Sequence, residues 1–337
     1  MAGFKAVQVV NDGHPMPAWV PERLAEAGID FSVGICWTKD DLARHAADAD
    51  LAWVYGGRRL LVGENLDVLE RCSAILRTGS GTDNVDVSRA TTFGIIVANT
   101  PYAITDSVAD QAISLLFSLV RQVTRHDRYV HRGQWDFRLA LPGRRFQGAT
   151  LGLVGFGRIA QSVMAKLSGF GMRFLAYDPY VPAEVMASRG ATPASLDELL
   201  QTADYVSVHC PLTEQTRHLI GERGLRLMQP HAFLVNTSRG PVIDEQALIK
   251  ALREGWIAGA GLDVLEQEPI DSASPLLAMD NVIVTPHFAG YTDRYPEDDY
   301  AASVEAIIDM AGGHLPRSVV NPRVKPRWGA LAPNPHK

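Results

Sequence analysis

Apolar runs of strand length alternate with amphipathic runs of helix length, and the chain goes through this alternation twice. In the first series KAVQVV (5–10), LAWVY (51–55), SAIL (73–76) and GIIVA (94–98) read as strands, with PERLAEAG (21–28) and KDDLARHAAD (39–48) as helices. That order is the pattern of a parallel sheet wound by crossover helices, and a flavodoxin-like sheet fits it. A long helical pattern follows over 107–133, with apolar residues at 108, 112, 115, 116, 119, 120 and 123, and reads as a connector. The second series has strands in TLGLVG (150–155), MRFLAYD (172–178), DYVSVH (204–209), AFLVN (232–236), IAGAGLDV (257–264) and NVIVTP (281–286). One more helix is expected over 297–313, returning to the first sheet. The spacing therefore predicts an α/β chain of two doubly wound parallel-sheet domains. Residues 1–101 and 292–337 form a discontinuous outer domain, and residues 102–291 form the inner one.

Length agrees, because 337 residues exceed one ordinary core. Hydrophobic residues at 46% and charged residues at 21% are normal for a globular chain. The Pro-rich end NPRVKPRWGALAPNPHK (321–337) is expected to be loosely held. A net charge of −6 leaves no basic excess for nucleic acid. The N-terminal stretch lacks the features of a secretory leader, and QAISLLFSLV is too short to span a bilayer. Cys36, Cys72 and Cys210 are scattered without CxxC spacing, which fits a reducing, cytoplasmic setting and argues against a disulfide framework or a metal site. The NTS match at Asn236 carries no weight inside a cell.

Chemistry begins at TLGLVGFGRIAQ, where Gly155, Gly157 and Ala160 give GxGxxA between a strand and a helix opening at Arg158. The first glycine permits a tight turn, the second lets backbone approach a pyrophosphate, and the third small residue allows close helix packing. Asp178 lies 178 − 155 = 23 residues on, at a strand end, where an acid grips the adenosine ribose. No Arg or Lys immediately follows it to accept a 2′-phosphate, so NAD is preferred over NADP. Asp178 as a simple helix cap is the plainer alternative.

Hydride chemistry also needs a group that polarises a carbonyl and a group that moves a proton. Arg239, after the strand FLVN, keeps its charge and forks onto carboxylate and carbonyl oxygens. Asp263 and Glu268 follow the next strand, and His287 the one after. A carboxylate beside a histidine stabilises its imidazolium and suits it to proton transfer, and Glu268 is the expected neighbour of His287. Taken singly, Arg239 reads as a structural ion-pair residue and His287 as a surface histidine.

The stretches TGSGTDNVDV, VGFGRIA, YDPY, HCPLTEQTRHLI, FLVNTSRGPVIDEQAL, GLDVLEQEP and TPHFAG, in this order over nearly the whole chain, resemble the D-2-hydroxyacid dehydrogenases, within them the branch of the C-terminal binding proteins. The resemblance implies a Rossmann-type NAD-binding and dimerisation domain, a flavodoxin-like substrate domain, a homodimer and a small 2-keto or 2-hydroxy acid substrate. It implies that Arg239, Glu268 and His287 form the catalytic triad, with Asp263 near the nicotinamide carboxamide. Cofactor contacts are implied for Ser80, Gly155, Phe156, Gly157, Arg158, Ile159, Asp178, Thr216, Thr237, Ser238 and Gly290, with His209, Cys210 and Pro211 as the cofactor floor. Ser80 and Gly81 resemble the loop whose N–H groups receive the substrate carboxylate. Arg58, or Arg59 beside it, is expected to touch a second acidic group on the substrate. Departures lie at Tyr102, Ile104 and Asp106, where small residues are common, and at Gly290, where the C-terminal binding proteins carry tryptophan. No regulatory domain is expected, and an NADH-sensing co-regulator of the same fold is the alternative to an enzyme.

Overall fold

A computed structural model describes residues 3–139 and 142–334. The chain divides into two compact units, Met1–Ile104 with Tyr291–Lys337, and Thr105–Gly290.

Unit 1 is built on five parallel strands, β1 (Phe4–Asn11), β2 (Ile29–Val33), β3 (Leu51–Tyr55), β4 (Ala74–Arg77) and β5 (Ile96–Asn99), in the order β2-β1-β3-β4-β5. That order is the flavodoxin-like one, with its switch point between β1 and β3. Side chains alternate across the sheet because successive residues of a strand point to opposite faces. Val7, Val9, Ala52 and Val54 join α2 (Lys39–Ala46) and α3 (Val87–Thr92) in one core. Ala6, Leu51, Trp53 and Tyr55 join α1 (Trp19–Glu26) and α11 (Glu297–Ala311) in the other. The helix over 297–311 thus returns to the first sheet.

Unit 2 carries seven parallel strands: β6 (Thr150–Val154), β7 (Arg173–Tyr177), β8 (Thr192–Pro193), β9 (Tyr205–Val208), β10 (Phe233–Asn236), β11 (Gly259–Leu262) and β12 (Val282–Val284). Their order is β12-β11-β10-β9-β6-β7-β8, so the strand order reverses between β6 and β9, the Rossmann arrangement. Helices α4 (Thr105–Val120) and α6 (Arg158–Leu167) cover one face. On the other lie α8 (Leu196–Thr202), α9 (Glu222–Leu227) and α10 (Glu245–Glu254), while α7 (Ala183–Ser188) packs beside β8.

Three features differ from the expectation. The pattern over 107–133 is not one helix: α4 ends at Val120 and α5 runs from Val123 to His131. Gln122 between them is left-handed, at φ 56°, and the Val120 carbonyl accepts from the Arg144 N–H at 3.0 Å instead of continuing the helix. β2 escaped the hydrophobic pattern because only Ile29 of its five residues is buried.

The described part of the Pro-rich tail, to residue 334, is packed on unit 1. Nη1 of Arg327 donates to the carbonyls of Leu69, Glu70 and Cys72 at 3.0, 2.9 and 3.0 Å, and its Nε donates to Phe93 O. Trp328 packs on Phe4 with ring centroids 5.4 Å apart. One guanidinium satisfying carbonyls from two loops replaces the regular secondary structure that the tail's prolines prevent.

Candidate active site

The glycine turn of unit 2 is shaped by what surrounds it. Gly155 has φ +90°, and a Cβ there would stand 2.6 Å from the Cys210 nitrogen, so only glycine fits. Around Gly157 a Cβ would meet nothing within 4 Å, leaving room over the N-terminus of α6, which has no side-chain cap. Uncapped N–H groups facing open space suit an anion such as a pyrophosphate. Phe156 beneath the turn is fully buried.

Asp178, at the end of β7, accepts from Phe156 N–H and from Tyr180 N–H, both at 2.9 Å. It therefore fixes the glycine turn and caps no helix. A carboxylate offers about four lone-pair sites, so capacity for ribose hydroxyls remains. A cavity of about 320 Å³ opens beside it, lined by Tyr177, Val181, Met186, Pro193, Ser195 and Glu198 among others.

After β9 come His209, Cys210 and Pro211. Burial pushes the His209 imidazole down to about 4 and the Cys210 thiol up to about 11, so both are neutral near pH 7. Ser207 Oγ lies 2.9 Å from His209 Nε2, while Nδ1 is buried without a hydrogen-bond partner. Thr237 Oγ1, after β10, is likewise buried and unpartnered. Orphaned polar atoms on neighbouring strand ends are what a polar cofactor would satisfy. The expected residue Thr216 is spent locally: its hydroxyl donates to Pro211 O at 2.6 Å and accepts from Thr213 N–H at 2.7 Å. Ser238 donates to Asn236 Oδ1 at 2.9 Å.

Arg239, Glu268 and His287 follow three consecutive strands, β10, β11 and β12. His287 Nδ1 lies 2.8 Å from Glu268 Oε2, and Glu268 Oε1 accepts from Leu265 N–H at 2.9 Å. Burial pushes the Glu268 carboxyl up. The His287 hydrogen bond and charge, the Leu265 N–H and the Arg239 charge together outweigh it and hold the carboxyl below its usual range. His287 itself is left-handed, at φ 53°, a conformation that for a non-glycine residue costs about 1–3 kcal/mol and requires surrounding support.

The support comes from Asp263, which is buried at 1% exposure. Oδ1 accepts from Thr285 Oγ1 at 2.5 Å and from Phe288 N–H at 2.9 Å, and Oδ2 accepts from Ala289 N–H at 3.0 Å. Its carbonyl takes the His287 N–H at 2.8 Å. Asp263, expected at the nicotinamide, thus holds the His287 turn in shape. Thr285, steadied by Gln111 at 3.2 Å, was not among the expected site residues, since its partners lie far off in sequence. Gly240 was missed too: a Cβ there would stand 1.9 Å from the Leu265 carbonyl carbon, so the Arg239 turn presses directly on the loop that holds Glu268.

In unit 1, the Ser80 carbonyl accepts from Asn99 Nδ2 at 2.7 Å, and Thr100 Oγ1 accepts from Gly79 N–H at 2.8 Å. These bonds shape the loop containing Ser80 and Gly81. Arg58 is engaged within its own unit: it pairs with Asp12 at 2.8 Å, donates to Cys36 O at 2.9 Å and lies 3.3 Å over the Trp37 ring. Those contacts give its guanidinium a structural occupation, while Arg59 is exposed. At the C-terminal ends of β1 and β3, His14 stacks on Tyr55 at 4.1 Å, and the Tyr55 hydroxyl donates to Asp299 at 2.7 Å. Burial raises the Asp299 carboxyl and lowers the His14 imidazole. Among the described residues no group of three His, Cys, Asp or Glu could hold a metal ion.

A Rossmann strand order with an open, uncapped glycine turn at the start of α6 is the architecture of a dinucleotide-binding domain. Residues 113–289 match the family model described as "D-isomer specific 2-hydroxyacid dehydrogenase, NAD binding domain". The chain is 45% identical over 247 residues to a glyoxylate reductase of Korarchaeum cryptofilum, covering 72% of this chain and 74% of that one. A D-lactate dehydrogenase of Aquifex aeolicus, solved with NAD and lactic acid, is similar in structure at 29% identity and a TM-score of 0.77, over 92% of this chain and 96% of that one. An acyclic imino acid reductase solved with NADPH and D-Arg gives a TM-score of 0.84 at 27% identity, over 94% and 99% of the two chains. The chain belongs to the D-isomer specific 2-hydroxyacid dehydrogenase family.

Proposed function

We propose that the protein is a 2-keto acid reductase working with NADH, in which His287 is the general acid, Glu268 its carboxylate partner and Arg239 the group that polarises the substrate carbonyl. The observation that carries this reading is the 2.8 Å His287–Glu268 contact, with Arg239 leaving the next strand but one of the same sheet. When bound, the reduced nicotinamide supplies the hydride. Glu268 Oε2 receives the Nδ1 proton's hydrogen bond and leaves Nε2 to give its proton to the carbonyl oxygen. The 2-keto acid, NADH and one proton become the 2-hydroxy acid and NAD, and the reverse reaction returns the proton to His287. Arg239 stabilises the negative charge that develops on that oxygen. Arg58 is assigned to holding the shape of unit 1.

Asp178, at the strand end beside the glycine turn, supports NADH over NADPH, because a carboxylate bound to the ribose hydroxyls would repel a 2′-phosphate. Trp135 and Phe137, 90% and 84% exposed, follow a helix with no buried residue, which supports a homodimer formed through unit 2. No helix among the described residues is long and apolar enough to cross a membrane. Cys36, Cys72 and Cys210, all free and buried, support a reducing, cytoplasmic setting.

The test is NADH oxidation by the purified protein with glyoxylate, hydroxypyruvate, pyruvate and longer 2-keto acids. Turnover of at least one is expected. Tight NADH binding with no turnover across the panel would favour the NADH-sensing co-regulator instead. NADPH serving as well as NADH would overturn the reading of Asp178.

A further inference from the structure

One residue outside the proposed triad touches both loops that carry it. His218 lies in the segment between β9 and α9 and, like His287, is left-handed, at φ 52°. Its backbone N–H donates at 2.8 Å to the carbonyl of Pro241, two residues beyond Arg239. Its side chain lies 2.6 Å, Nε2 to Oε1, from Glu266, two residues before Glu268. The backbone bond is part of a seam, continued by Ile220 N–H to Val242 O at 3.2 Å and Asp244 N–H to Ile220 O at 3.1 Å.

Glu266 is fixed from a third side. Its Oε1 accepts from Glu245 N–H at 3.3 Å, and its own N–H donates to Glu245 Oε2 at 3.1 Å, tying the loop to the N-terminus of α10. The Leu265–Glu266 peptide is the one against which Gly240 packs, with a Cβ on Gly240 placed 2.4 Å from Glu266 N. Leu265 N–H in turn holds Glu268. A path of direct contacts therefore runs from His218 through Glu266 and Leu265 to Glu268 and His287, and another from His218 through Pro241 to the Arg239 turn.

We propose that His218 is a positioning residue that clamps the Arg239 turn to the Glu268 loop, so that guanidinium and imidazole keep one mutual geometry; this rests on the roles given to Arg239, Glu268 and His287 above. A backbone held left-handed lets one residue aim its N–H at one loop and its imidazole at the other. The side chain is 44% exposed and its partner 31%, so the pair adds little to global stability. Its effect falls on geometry, to which catalysis is far more sensitive.

His218→Gly isolates that effect, because glycine keeps the backbone conformation and removes only the imidazole. With whichever keto acid of the panel turns over fastest, kcat is expected to fall about tenfold. NADH affinity and the KM for the keto acid should stay within about twofold, since neither ligand is assigned to His218. His218→Gln, which restores an N–H donor, should recover most of the rate. Glu266→Ala, which also removes the acceptor of the Glu245 N–H, should lower kcat at least as much as His218→Gly, and the double variant should be no worse than Glu266→Ala, as for two ends of one contact.

The downfield proton signal of His287 Nδ1–H should broaden in both single variants, a readout that needs no turnover. An unchanged kcat and an unchanged signal in His218→Gly that binds NADH stoichiometrically would overturn the clamp. A fall in melting temperature with kcat intact would also overturn it, as would failure of His218→Gln to recover the rate. The wider functional reading fails separately, by His287→Ala keeping its rate; the proton signal then decides the clamp alone.

Discussion

His209 and His287 leave the same edge of the same sheet, after β9 and after β12, and their surroundings make them opposites. His287 has a carboxylate at 2.8 Å and a backbone bent left-handed so that the ring meets it. His209 has a serine hydroxyl at 2.9 Å, an orphaned Nδ1 and burial that takes its imidazole down to about 4. On the reading proposed above the first ring passes a proton to the substrate, while burial holds the second uncharged near pH 7. Residue type does not separate them; what desolvates each ring, and what pairs with it, does.

The contrast can be broken most forcefully at His287. His287→Ala is expected to lower kcat about a hundredfold to ten-thousandfold, the usual worth of a general acid, measured at saturating NADH. Retention of most of the rate would end the assignment. The same substitution at His209 should act on stability and cofactor affinity instead.

His209 gives the next effect, and its sign follows from linkage. The folded value of about 4 lies below the ordinary 6.5, so between these pH values the unfolded chain binds a proton that the folded chain refuses. Stability is fully present above pH 6.5 and is lost as pH falls towards 4, by at most about 3 kcal/mol at 1.36 kcal/mol per unit. Urea unfolding at several pH values should show that slope in the wild type and a shallower one in His209→Gln. Equal slopes would mean that the buried ring is not the cause.

Glu268→Gln keeps the shape of the pair and removes its charge. Loss of a charge-assisted hydrogen bond, about 1.5–3 kcal/mol, predicts a fall in kcat of roughly ten- to a hundredfold. Because the Glu268 carboxyl is held below its usual range, wild-type activity should survive acidification past the ordinary carboxylate range and be lost as pH falls through the lowered value. The Gln variant should lack that acid limb in its pH–rate profile. Smallest is Thr285→Val, which removes one bond from Asp263; about 1 kcal/mol of stability and a few-fold in kcat are expected from thermal melts and rates.

Much of this site was legible before any coordinates. The glycine turn, Asp178, Arg239, Glu268 and His287 all follow apolar strands, and in a parallel sheet the strand C-termini gather on one edge, so order along the chain becomes adjacency in space. What the sequence did not announce is the set of distant partners: Asp263 bonds residues 22 to 26 positions away in the His287 turn, and Arg58 meets Asp12, Cys36 and Trp37.

The sequence alone determined two parallel-sheet domains, the positions of most of their strands and the residues that meet at one sheet edge, because burial periodicity and strand order are local properties. Only the tertiary structure decided the break after Val120, the exposed strand β2, the tail held by Arg327 and the acid that shapes the His287 turn. Each of these depends on a hydrogen bond or a burial state supplied by chain distant in sequence, and such a partner exists only once the fold has formed.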